Sequence, residues 1–96
     1  MRLSLAARAA IKKIIATKDP KAAVYLYGSR VDESLSGGDI DLLVISETLN
    51  FSDKLDILIL SKEAIGDQKI DVLIKAAAES ASDPFVREIL KSAIRI

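Results

Sequence analysis

Three aspartates and a glycine-serine pair hold the chemistry-bearing pattern of this 96-residue chain. The apolar run Val24-Tyr25-Leu26-Tyr27 stops at Gly28-Ser29, and after nine residues a second run opens with Asp39 and Asp41. In extended chain, residues two apart project to the same side, which sets these carboxylates together with Cα atoms about 7 Å apart. A third acid, Asp71, lies inside Lys69-Ile70-Asp71-Val72-Leu73-Ile74. An ionised carboxylate in apolar company is costly unless it is paired, hydrogen-bonded or metal-bound. If the two strands are neighbours, all three acids converge. The chain contains no histidine or cysteine, so the ligands are oxygens alone, a set suited to Mg²⁺ first and Mn²⁺ next.

Gly28 lets the backbone approach a ligand closely, and the Ser29 hydroxyl with nearby amides can donate to phosphate. Taken alone, the pair reads equally well as an ordinary strand-ending turn. Gly28 to Ser36 reads as a turn running into a helical turn or two with Ser29 as N-cap, and Ser34, Ser36, Gly37 and Gly38 as a flexible bridge. Arg30 either meets phosphate or pairs with Asp32 or Glu33. The pairing is slightly favoured, since exposed arginine beside acids is ordinary.

Composition narrows the classes. Half the residues are apolar and 29% are charged, the balance of a folded globule and not of a disordered segment. The formal net charge is zero, which argues against direct DNA or RNA binding through a basic surface. No apolar run approaches the roughly 20 residues of a membrane span. Arg8, Lys12 and Lys13 interrupt the N-terminal segment before it forms a signal-peptide core. The expectation is one cytoplasmic domain over residues 1–96.

The elements that must position the acids follow from periodicity. Leu3, Ala7, Ala10, Ile11, Ile14 and Ile15 mark one face of a helix from Leu3 to Lys18 that stops before Pro20. Its basic face reads chiefly as solvated, with a nucleotide, a nucleic acid or an acidic partner as the other reading. Ala22 to Tyr27 reads as a buried strand with Tyr25 and Tyr27 on one side, where Tyr27 could border a ligand. Asp39 to Ser46 reads as a central strand with Asp39, Asp41, Leu43 and Ile45 on one side and Ile40, Leu42 and Val44 on the other. Phe51 to Ile65 reads as a helix on length, capped by Ser52, with Phe51, Leu55, Leu58, Ile59 and Lys62 at helical spacing and Gly66 as its stop. The alternation of Leu55, Ile57 and Ile59 leaves a strand open. Lys69 to Lys75 is a third strand, and Ala76 to Ser82 a loop or ragged helix. Asp83-Pro84 starts a last helix with Phe85, Ile89, Leu90, Ala93 and Ile94 on one face. The fold class is α+β, α/β-like: a small mixed sheet of about three strands with helices packed against it.

Gly28-Ser29, then Asp39-x-Asp41, then a lone aspartate in a later apolar strand resembles the signature of the nucleotidyltransferase superfamily that includes DNA polymerase β and kanamycin nucleotidyltransferase. The short chain with Gly-Ser-Arg and Asp-Ile-Asp-Leu-Leu-Val is similar to the minimal nucleotidyltransferases, often encoded beside a HEPN-domain protein as a toxin–antitoxin pair. The resemblance runs from the first strand through Asp71 and, more loosely, over both terminal helices. It implies a polymerase β palm-like fold and transfer of a nucleoside monophosphate to a hydroxyl with release of pyrophosphate. It also implies Asp39 and Asp41 holding two metal ions, and Asp71 holding the one nearest the acceptor and serving as candidate general base. Gly28, Ser29, Arg30 and Gly38 would border the nucleotide. Two departures stand out: Asp32 and Glu33 make the bridge acidic where minimal members often carry further arginines, and Gly38 replaces the serine often found before the first aspartate.

By this resemblance the expected substrate is ATP and the expected acceptor a protein, a HEPN toxin silenced by modification of a tyrosine, in a homo- or hetero-oligomer whose stoichiometry the sequence leaves open. A chain this short leaves no room for the extra domains with which larger relatives bind base and acceptor. One alternative is a binding module that neutralises its partner by contact through the apolar stripes of the two terminal helices. A third is a small-molecule nucleotidyltransferase of the antibiotic-modifying type.

Overall fold

The computed structural model describes residues 1–35 and 37–96, so the part of the bridge at Ser36 lies outside the described residues. The first helix, α1, spans Leu5–Lys18. Ser4 caps it, its hydroxyl accepting the Ala7 amide at 3.1 Å and so pairing one of the amides that a helix start leaves without a partner. Ala7, Ile11 and Ile15 are buried with Leu3, the stripe expected from periodicity, while Lys12 and Lys13 face solvent.

Four strands form one sheet in the order β3-β2-β1-β4: β1 Ala23–Tyr27, β2 Ile40–Ile45, β3 Ile70–Lys75 and β4 Ile94–Arg95. β1 runs antiparallel to β2 and to β4, and β2 runs parallel to β3. The parallel pair needs a long crossover. That crossover is α2, Phe51–Ile65. The expected α+β architecture with a mixed sheet is thus present, with one more strand than periodicity indicates. β4 takes Ile94 from the expected last helix, which ends at Leu90: the final helices are the short α3, Ala77–Ser82, and α4, Pro84–Leu90. Two residues are too few to show a period of two. The pairing of Leu26 with Ile94 decides the matter.

Alternation along β2 splits the core. Ile40, Leu42 and Val44 join Val24, Leu26, Ile70 and Val72 against α1 and Ile57 of α2. Leu43 faces the other way and packs with Val86 and Ile89 of α4, beside Tyr25, Tyr27, Ile45 and Leu73. β2 is accordingly covered on both sides. Its carboxylates belong to the α4 side.

Two details of α2 depart from the sequence reading. Its cap is Asn50, not Ser52: the Asn50 side chain accepts the Asp53 amide at 2.9 Å and Asp53 accepts the Asn50 amide at 3.0 Å, a reciprocal capping box. Its buried residues are Ile57 and Ser61, whereas Phe51, Leu55 and Ile59 are exposed. α2 is apolar on both flanks, and the more regular stripe points outward. Phe85, assigned to the packed face of the last helix, is also exposed, and Val86 takes its place.

Candidate active site

The three aspartates lie at one end of the sheet, where β1 finishes and the parallel strands β2 and β3 begin. Parallel register sets Asp41 beside Asp71, and antiparallel register sets Tyr27 across from Asp41. Asp39 immediately precedes β2, tied by the Ile40 amide donating to the Lys69 carbonyl at 2.9 Å. One carboxylate oxygen from each of Asp39, Asp41 and Asp71 lies within 4.8 Å of the others. Two of these groups are half-buried and Asp71 is exposed.

Such a cluster is electrostatically strained on its own. Partial burial, then the charges of Asp71 and Asp39, hold the Asp41 carboxyl above the usual carboxylate range, and Lys69 opposes the shift. The Tyr27 phenol is also pushed up, by burial first and then by Asp41 and Asp71. Lys69 Nζ sits 3.4 Å from Asp39 Oδ2. A divalent cation would neutralise this convergence of oxygen donors, and nothing but hard oxygen ligands is offered.

The glycines are fitted to the same site. Gly28 has φ +77°, and a Cβ there would run into the Asp41 carboxylate. Gly38 has φ +88°, and a Cβ there would strike the Ser29 hydroxyl. The first closes the Gly-Ser corner onto the acids. The second shows why glycine stands at 38: the loop brings that backbone directly over Ser29.

Gly28–Val31 forms a 3-10 turn whose capping position is Tyr27, so Ser29 lies within the turn and does not cap a helix. Arg30 pairs with neither Asp32 nor Glu33. Its guanidinium donates to the carbonyls of Gly38 (3.2 Å) and Arg2 (2.9 Å) and to the Gln68 side chain (3.0 Å). Arg2 answers it, donating to the carbonyls of Asp32, Gly37 and Ser29 at 3.0, 2.7 and 2.8 Å. Two planar forks thus lash the bridge between Gly28 and Gly38, because a loop of this shape leaves carbonyls that the sheet cannot pair. Arg2 was not legible as a site residue: no local pattern ties it to a loop some 30 residues on. Lys69 was missed too, although its place two residues before Asp71 on an extended segment was a usable signal.

Hollows of the surface lie away from the acids as well. One of about 400 Å³ is lined by residues including Asp19, Lys21, Ser46 and Thr48, at the opposite end of β2. Asp71 is exposed and Asp39 and Asp41 are only half-buried, so charge is the main means of holding a substrate there.

Comparison with known families agrees with this geometry. Residues 9–96 match the family model described as polymerase beta, nucleotidyltransferase. The chain belongs to this nucleotidyltransferase family. Among curated proteins, none matches the sequence. The family supports nucleotidyl transfer as the general activity, and nucleotidyltransferases typically use a divalent metal and a nucleoside triphosphate. In this nucleotidyltransferase the residues fit such a metal: three converging carboxylates, all-oxygen donors, and a glycine whose missing side chain leaves room for Asp41. Among the described residues no helix is long and apolar enough to cross a membrane.

Proposed function

We propose that this nucleotidyltransferase moves the nucleoside monophosphate of ATP onto a hydroxyl of a protein partner, with Asp39 and Asp41 holding two Mg²⁺ or Mn²⁺ ions and Asp71 holding the one beside the acceptor. The acceptor oxygen forms a bond to the α-phosphorus, the bond to pyrophosphate breaks, and the acceptor's proton passes to a base for which Asp71 is the candidate. Held by these carboxylates, divalent ions would supply charge neutralisation of the attacking and leaving oxygens. The chain's own contribution is position: parallel register aligns Asp41 with Asp71, and Gly28 brings the turn against them. Ser29 and the turn amides are the donors toward phosphate. The observation that carries the reading is the approach of the three carboxylates within 4.8 Å.

A protein acceptor is favoured by the exposure of Asp71 and by an outward apolar stripe on α2, where Phe51, Leu55 and Ile59 are 70, 45 and 57% exposed. Of the two terminal helices, α1 has its stripe buried on the sheet, and in the last helix Ile89 is buried whereas Phe85 stays exposed. By family resemblance the partner is a HEPN-domain toxin and the acceptor a tyrosine, which makes this chain an antitoxin. The same stripe favours a second reading, neutralisation by contact without transfer. Incubating the chain with its partner, labelled ATP and Mg²⁺ separates the two. Label on the partner that is lost with Asp39→Asn/Asp41→Asn supports transfer; neutralisation that survives the double substitution supports contact.

A further inference from the structure

Lys69 has a place at this site that the three acids and the Gly-Ser turn do not account for. Its carbonyl accepts the Ile40 amide at 2.9 Å, so its backbone is pinned beside Asp39 whatever its side chain does. Its ammonium lies 3.4 Å from Asp39 Oδ2, with the lysine side chain 69% and the aspartate 42% exposed. Such a pair is weak and exchanges readily. The other cations at this end, Arg2 and Arg30, are committed to loop carbonyls and Gln68. Among the described residues Lys69 is the one cationic side chain within ion-pair distance of the three acids.

A divalent cation on Asp39 would stand close to that ammonium and repel it, while the flexible four-carbon stem lets it swing to the nearest anion. A metal-bound nucleotide brings such an anion, and an ammonium is a good point-charge partner for phosphate. We propose that Lys69 exchanges partners during the reaction, balancing Asp39 before metal binds and holding the phosphates of the nucleotide afterwards. It thereby opposes metal alone and favours metal together with nucleotide. The proposal rests on the reading of Asp39, Asp41 and Asp71 as a metal site.

The test uses two titrations of the purified chain, Mn²⁺ alone followed by electron paramagnetic resonance, and a non-hydrolysable α,β-methylene ATP analogue at saturating Mn²⁺. Lys69→Gln should bind Mn²⁺ alone about two- to fivefold more tightly, as expected for loss of an exposed competing charge. It should bind the analogue about tenfold more weakly, and Lys69→Arg should restore both. Movement of neither constant, or of only one, overturns the proposal. Mn²⁺ binding that is absent from the unsubstituted chain, or that Asp39→Asn/Asp41→Asn leaves unchanged, overturns instead the metal-site reading beneath it.

Discussion

Without divalent metal, replacing Asp41 by asparagine should make this domain more stable. Asparagine preserves the shape that fits against Gly28 and removes only the charge. Two unit charges at 4.8 Å, the outer limit of the separations here, repel by about 1 kcal/mol in water and about 3.5 kcal/mol at an effective dielectric near 20. Asp41 faces two such neighbours, but Lys69 offsets part of the repulsion and the exposed Asp71 side chain is screened. A net gain of about 1 kcal/mol remains, which would raise the melting temperature of a domain this size by about 4–8 °C. The pH dependence has a definite sign. Because the folded-state pKa of Asp41 is raised, its penalty is absent below the ordinary carboxylate range and grows as pH rises through the raised value. The advantage of Asp41→Asn is therefore full at neutral pH and closes on acidification. Urea denaturation in chelator at low ionic strength measures it. Adding Mg²⁺ should stabilise the unsubstituted chain by linkage and leave Asp41→Asn unmoved. An asparagine variant less stable than the parent in chelator would refute the reasoning, for then the carboxylate would be serving the fold and not a ligand.

Other substitutions test the surroundings. Gly28→Ala should cost about 1–2 kcal/mol for the left-handed backbone alone and also displace the Asp41 carboxylate; an unchanged urea midpoint with unchanged Mn²⁺ affinity would disprove the close approach. Asp19, whose pKa is lowered first by the Ser46 hydroxyl and then by the Lys21 amide, contributes stability that is present above the ordinary carboxylate range and lost as pH falls through its lowered value. Asp19→Asn should accordingly flatten the acid limb of a stability–pH curve, and parallel curves would contradict that. Ser61 is wholly buried and its hydroxyl has no hydrogen-bond partner among the described residues, so Ser61→Ala should be neutral or stabilising by up to about 1 kcal/mol in thermal melts. A loss of 1 kcal/mol or more would reveal a hydrogen bond there.

The sequence by itself determined the chemistry and most of its local scaffolding. A period of two set Asp39 and Asp41 on one side of β2 and opposed them to Ile40, Leu42 and Val44. Apolar runs bounded by Gly28, Gly66 and Pro20 located the helix and strands, because those signals are written in neighbouring residues. Tertiary structure decided what depends on distant partners. Parallel pairing of β2 with β3 brought Asp71 to the other acids, and no property of residues 69–75 alone dictates which strand lies beside them. β4 is too short to have a period and exists through its pairing with β1. For α2, apolar residues on both flanks make its inward face a matter of fit against β2 and α1, and the stripe of Phe51, Leu55 and Ile59 lost that competition to Ile57 and Ser61. Arg30 turned from its acidic neighbours because unpaired loop carbonyls and Gln68 stood within reach of its fork, a demand created only when the chain between Gly28 and Gly38 folded back over Ser29.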